Sequence, residues 1–250
     1  MEGRINMVSE RQGKILNCIV GEYIGSKTPV SSKVLSSKYG FGIRPSTMRI
    51  EFQKLTELGY LAQPHTSAGR VPTDKGYRFY VDNLSPKSKS KEFGQSKKIL
   101  SSPSSLSLNE SSTIEGADDS FKFFQHLTQR IAELTSALTI AYFPEEDIVF
   151  KEGWDEIFKE PEFEDTAFVS RFMATVQNFE KHFNELQDLD ELQIFIGKEN
   201  QLAGAQEFST IISRIHLPEK KEGLVAILGP KRMAYDKNLG IMESLTKLLE

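Results

Sequence analysis

Residues 59–82, GYLAQPHTSAGRVPTDKGYRFYVD, constrain this chain more than any other stretch of it. Two short apolar runs, at 60–62 and at Val71, flank a polar turn carrying His65, Thr66, Ser67, Gly69 and Arg70. That is the pattern of a β-hairpin. Its tip offers hydroxyls, small residues and one guanidinium, which suit a phosphate or a minor-groove wall. A helix is expected directly after it, with Thr73 as N-cap and Asp74 in the first turn. A hairpin tip alone is more often a solvated turn than a binding element, so the residues upstream decide its meaning.

Those residues read as three helices. Ser9 with Gln12 three positions on is a capping-box signature, followed by Ile15, Leu16, Ile19, Val20, Tyr23 and Ile24 at helical spacing. Thr28-Pro29 breaks that helix. A short second helix is expected over 31–39, with Val34, Leu35 and Tyr39 inward and Gly40 as the C-terminal stop. The 40–43 turn leads to a third helix with Pro45 in its first turn, where a missing N–H costs nothing. Its inward face is Met48, Phe52, Leu55 and Leu58; its outward face is Ser46, Thr47, Arg49, Ile50 and Gln53. Two helices joined by a tight Gly-containing turn, then a hairpin, spell a winged helix-turn-helix. In such a module the outward face of the third helix enters the major groove. Arg49 suits guanine and Gln53 adenine, each by a bidentate pair, while Ser46 and Thr47 suit phosphate or mixed contacts.

Residues 9–82 resemble the DNA-binding domain of the heat-inducible transcription repressors, the HrcA family. The resemblance is carried by Arg11-Gln12 with Ile15-Leu16, Tyr23-Ile24, Pro29-Val30, Pro45-Ser46-Thr47-Met48-Arg49, Leu58-Gly59-Tyr60-Leu61 and, most specifically, the run 63–82. It implies a repressor that binds an inverted-repeat operator ahead of chaperone operons until heat shock. Thr47 and Arg49 would then lie on the recognition helix, and His65, Thr66, Ser67 and Arg70 in the wing. The chain departs from the family at Ile50, where a polar residue, commonly Asn, is usual; an apolar side chain there suits a thymine methyl. The resemblance also implies the chaperonin as a partner.

Charge is split along the chain. Residues 1–98 hold 17 Lys and Arg against 8 Asp and Glu, whereas 99–250 hold 14 against 27, within a total of −4. The positive footprint therefore falls on the predicted DNA-binding half. Part of it comes from Lys87, Lys89, Lys91, Lys97 and Lys98 in a Ser- and Lys-rich linker with Pro86 and Pro103. The expected division is a winged helix at 1–84, the linker at 85–118 and a second domain at 119–250. Residues 1–6 read as a tail ahead of Met7. A lone cysteine, Cys18, excludes a disulfide framework and fits a reducing cytoplasm. No apolar run reaches the length of a membrane span, and the start is too polar for a signal peptide.

In the second half, Phe124, Leu127, Ile131, Leu134 and Leu138 recur by threes and fours after Ser120, which reads as a helix cap. Two heptads fit a subunit seam or ordinary core packing equally. Residues 160–163 are expected to open a further helix with Phe168, Phe172, Val176 and Phe179 on one face. Strands are expected at 192–196, 209–215 and 224–228, and a last helix at 236–249. Strands between helices indicate an α+β domain. This half resembles the HrcA family's regulatory domain of GAF-like fold, through Gly153 with Pro161-Glu162-Phe163, residues 196–200, Ser209 and above all Gly229-Pro230-Lys231-Arg232-Met233-Ala234-Tyr235. Family members usually carry first sheet strands and an inserted dimerisation domain before the Gly153 region; here only 139–149 separate Leu138 from Phe150. A reduced domain, with fewer layers around Phe124, Phe163, Phe168, Phe172 and Phe179, is the expectation.

Catalytic readings are weak. His65, His126, His182 and His216 show no ligand spacing with one another or with Cys18, and Glu145-Glu146-Asp147 reads as a solvated loop. There is no Gly-rich phosphate loop, and residues 229–232 read as a strand-to-helix turn rather than an anion site. No enzyme activity, metal or cofactor is expected. The sequence thus points to a cytoplasmic, nucleoid-associated homodimeric repressor. A ligand-sensing winged-helix regulator and an interaction adaptor without DNA binding stand as the other readings.

Overall fold

The computed structural model describes residues 8–84, 117–182, 192–201, 204–216 and 222–249. The tail expected at 1–6 lies outside these residues, as does the linker expected at 85–118 apart from its last two positions. The chain divides into two compact units, Met1–Leu84 and Ser85–Glu250, and is of mixed helix and sheet, α+β.

The first unit contains α1 (Glu10–Ser26), α2 (Ser32–Lys38), α3 (Pro45–Glu57), a ribbon of β1 (Leu61–Ala62) and β2 (Val71–Pro72), and α4 (Asp74–Asp82). The capping box forms: the Gln12 N–H donates to Ser9 Oγ at 3.3 Å, and the Ser9 N–H donates to Gln12 Oε1 at 3.0 Å. Helix α1 stops at Lys27, which takes a left-handed φ of 59° and returns its N–H to Tyr23. Ile15, Leu16, Ile19 and Val20 of α1 join Leu35, Met48, Phe52, Leu55, Leu61 and Tyr77 in a single core. Two expectations for α2 fail. Val34 is exposed, because Leu35 alone is turned fully inward by so short a helix. Gly40 does not supply a left-handed stop; Tyr39 ends the helix in an extended conformation, and the positive φ falls at Gly42.

The second unit is a five-stranded antiparallel sheet with helices on both faces. Its elements are α5 (Ala117–Thr135), β3 (Leu138–Phe143), β4 (Ile148–Glu152), α6 (Trp154–Ile157), a 3-10 turn (Pro161–Glu164), α7 (Thr166–Lys181), β5 (Gln193–Ile196), β6 (Phe208–His216), β7 (Glu222–Pro230) and α8 (Tyr235–Leu249). Strand order is β4-β3-β7-β6-β5. One face carries Leu138, Ile140, Tyr142, Phe208, Ile212, Leu224, Ala226 and Leu228, packed on Phe163 and on Phe172, Val176 and Phe179 of α7. The opposite face, with Ala141, Phe143, Ile211, Val225 and Ile227, is buried under α5 and α8.

This sheet corrects the reading of 124–138. Helix α5 begins at Ala117, so Ser120 lies within it rather than capping it, and it ends at Thr135. Ser136 takes a positive φ of 53°, and Leu138 opens a strand. The apolar stripe is consumed by the chain's own core: Phe124 stacks on Phe143 with ring centroids 3.9 Å apart, and Leu127 and Ile131 are buried. It is not free to be a subunit seam. The two strands that the sequence reading missed, β3 and β4, form a hairpin, so the sheet is not stripped to three strands and its phenylalanines are not thinly covered. A strand buried on both faces loses its period-two alternation and cannot be told from a buried helix segment by pattern alone. Residues 160–163 likewise form a separate turn, and α7 starts later, capped by Asp165. Gly153, with φ of 97°, ends β4's hairpin where a Cβ would lie 2.4 Å from the Ala137 carbonyl oxygen, so only glycine fits.

Candidate nucleic-acid interface

Helix α3 is anchored by a residue whose role the sequence reading overlooked. Glu51 lies on the inward stripe with Met48, Phe52 and Leu55 and is only 2% exposed. Its carboxylate accepts from Arg11 Nη2 at 2.5 Å and from Gln12 Nε2 at 3.0 Å. A buried charge is tolerated only when paired and hydrogen-bonded, and here α1 supplies both donors. The signal was present: an acidic residue inside an apolar i, i+3, i+4 stripe requires a partner. This pair and the apolar core set the rotation of α3.

That rotation leaves Ser46, Arg49, Ile50 and Gln53 exposed and Thr47 half-buried, all on the side away from the core. Gln53 donates to Glu57 at 3.0 Å along the helix. Arg44, the N-cap residue of α3, is also exposed and was not singled out from the sequence. Neither Arg44 nor Arg49 makes an ion pair among the described residues. The first turns of α3 thus present two free guanidiniums and two hydroxyls.

The ribbon tip is held by backbone geometry. Gln63 Nε2 donates to the Thr66 and Ala68 carbonyls at 2.9 and 3.2 Å, folding the tip onto itself. Val30 and Arg70 exchange both backbone hydrogen bonds, at 2.9 and 2.8 Å, tying the ribbon to the start of α2. Gly69 is needed for that approach, since a Cβ there would stand 2.4 Å from the Val30 carbonyl oxygen. Gly76 is needed similarly, 2.3 Å from the Tyr60 carbonyl oxygen. The Arg70 Nε donates to Thr56 Oγ1 at 3.0 Å, so this side chain braces the ribbon against the last turn of α3. His65, Thr66 and Ser67 remain exposed at the tip. Lys75 seals the other side, donating to the Leu58 carbonyl at 2.9 Å with its ammonium 4.3 Å from the Tyr60 ring centroid.

A further cluster steadies α2 against α1. Glu22 accepts from Lys38 Nζ at 2.5 Å and from the Tyr39 hydroxyl at 2.6 Å. The hydrogen bonds from Lys38 and Tyr39 hold the Glu22 carboxyl below its ordinary pKa, and burial beside Glu22 pushes the Tyr39 phenol up. Cys18 nearby is also raised, by burial and then by the Glu22 charge.

In the second unit, residues 229–232 form no open anion site. Arg232, whose side chain is 7% exposed, is clamped by Glu160 and Glu162. Burial works to lower its pKa, but the bonds to Glu162 and Glu160 outweigh it and hold it raised. His182 contacts the Asn178 carbonyl at 2.7 Å at the end of α7, and His216 lies 3.7 Å from Glu222 at a strand end. Among the described residues no group of His, Cys, Asp and Glu is placed to hold a metal, and no helix is long and apolar enough to cross a membrane.

Comparison with known proteins gives a consistent assignment. Residues 96–239 match the family model described as the HrcA protein C terminal domain. The heat-inducible transcription repressor HrcA of Brevibacillus brevis is 29% identical, with 96% of each chain covered. That alignment spans 329 positions against 250 residues here, so stretches of the relative have no counterpart in this chain. The protein of the same name from Desulforudis audaxviator is 53% identical over 77 residues, covering 31% of this chain and 22% of its own. A crystal structure described as a hypothetical protein superposes with a TM-score of 0.74 over 97% of this chain and 98% of that one, at 20% identity, a likeness of fold. With the family model matching more than half of its residues, the chain belongs to the HrcA family.

Proposed function

We propose that this protein is a heat-inducible transcription repressor whose first unit is a winged helix-turn-helix, with α3 as recognition helix and the 63–70 tip as wing. The observation that carries this reading is the exposed face of α3. It bears unpaired Arg44 and Arg49 beside Ser46 and Thr47, and it is braced through Arg70 and Thr56 to a pre-folded ribbon tip. A surface so arranged meets duplex DNA without reorganisation. Arg49, Ile50 and Gln53 face base edges, while Ser46, Thr47, His65, Thr66, Ser67 and Arg70 face phosphates and the groove wall.

A single module of this size reads few base pairs, too few to select one site among roughly 10⁶ or more competing ones. The protein therefore acts as a homodimer on an inverted repeat, with the GAF-like second unit holding the copies together. The reading places it in the bacterial cytoplasm, on the nucleoid, with the chaperonin as a partner implied by the family. The test is a gel shift with DNA from upstream of the host's chaperone operon. Salt-dependent binding, specific over scrambled DNA and lost on heating, supports repression. Equal affinity for scrambled DNA, or none for either, overturns it.

A further inference from the structure

Ile50 is the most exposed large hydrophobic residue among the described residues, at 54%, and no other residue of that group lies on α3. Nothing in the fold calls for isoleucine there. The core side of α3 is filled by Met48, Phe52 and Leu55, and just over half of Ile50 remains open to solvent. A β-branched residue also has lower helix propensity than Ala, Leu, Glu or Lys, which serve an exposed helical position better. The position is therefore unfavourable for the free protein on two counts, solvation and propensity.

Its surroundings say what surface it suits. Ile50 follows Arg49 directly, is one turn beyond Ser46 and Thr47, and is one turn before Gln53. All are polar, so Ile50 is the one exposed apolar side chain on this face of α3. The floor of the major groove offers donors, acceptors and one apolar group, the C5-methyl of thymine. A β-branched side chain in a helix holds one dominant χ1 rotamer, so its methyls are presented at a fixed position with little entropy to lose.

Resting on the proposed DNA-binding reading, we infer that Ile50 is a specificity-determining residue that packs on a thymine methyl beside the base contacted by Arg49. The half-site then contains one thymine whose methyl is read by contact alone. Because the group read is a methyl, deoxyuridine, which keeps every hydrogen bond of thymine, removes the contact and nothing else.

The experiment titrates the full chain with a duplex from upstream of the chaperone operon, replacing each thymine of the protected half-site singly by deoxyuridine. One replacement should weaken the unaltered chain about fourfold, the effect of one buried methyl group. The same replacement should leave Ile50→Ala unaffected. Ile50→Asn should lose the methyl sensitivity and favour adenine at that position, since Asn pairs with the N6 and N7 edge. Both variants should keep the helical circular dichroism of the parent, Ile50 being exposed. If the chain binds this duplex over scrambled DNA but no single replacement distinguishes it from Ile50→Ala, the thymine contact is wrong and DNA binding stands. If the chain does not prefer the duplex at all, both fall.

Discussion

Arg49 and Gly69 show how different two residues of one site can be. Arg49 is exposed and unpaired, so the folded chain does not need it. Arg49→Ala should leave the melting temperature unchanged and cost about 1–3 kcal/mol on operator DNA, with a smaller loss on random DNA, as read by fluorescence anisotropy. Equal loss on both would make it a phosphate contact. Gly69 is the reverse case. A methyl there would meet the Val30 carbonyl oxygen at 2.4 Å, so Gly69→Ala must separate the ribbon from α2. Thermal denaturation should register about 1–3 kcal/mol of destabilisation, the usual cost of an overpacked site. Both residues stood out in the sequence, Arg49 by its outward spacing and Gly69 by its place in the tip. The reason for Gly69 did not, because Val30 is far away in the chain.

At the scale of elements, the ribbon and α2 each carry a polar side-chain link that can be tested separately. The sequence makes Arg70 a wing residue suited to phosphate, and in the structure its Nε also braces Thr56. Arg70→Ala should weaken binding to all sequences alike and flatten the salt dependence by about one phosphate's worth. Thr56→Val keeps the charge and removes the acceptor for Arg70, together with the hydroxyl's own bond to the Phe52 carbonyl within α3. It should lower affinity while leaving the salt slope intact, and a changed slope would show that the brace carries no positioning. The α1–α2 link depends on pH. Glu22 is held below its ordinary pKa, so the stability it contributes is present above the ordinary carboxylate range and disappears as pH falls through the lowered value. Glu22→Gln should therefore destabilise the chain at neutral pH, and melting curves of variant and parent should converge in acid. A constant gap across that range would mean that the Lys38 and Tyr39 bonds do not depend on the charge.

For the whole molecule, the proposed pairing of two copies is the point to test. The stripe on α5 that best resembled a coiled-coil seam is buried under the chain's own sheet, so the proposed dimer would use another surface of the second unit. Residues 1–84 alone should remain monomeric in sedimentation and bind a full operator far more weakly than the intact chain, because each half-site is then held separately. If the fragment matched the intact chain, the second unit would have no part in assembly. The alignment with the Brevibacillus brevis relative shows that stretches of that protein are missing here, while the five-stranded sheet is present.

What the amino-acid order determined by itself was local. Ser9 with Gln12, Pro45 after Arg44, and Thr73 before Asp74 mark helix starts through contacts three or four residues apart. The hairpin at 60–72 and the three helices before it were legible for the same reason. What only the tertiary structure decided was non-local. The β3–β4 hairpin was hidden because β3 is buried on both faces, which erases the alternation that marks a strand. The partners of Glu51 lie 39 and 40 positions away, and those of Arg232 lie 70 and 72 away. Such pairs depend on how helices and sheet pack, and the hydrophobic burial that drives this packing is non-directional and carries no address in the chain.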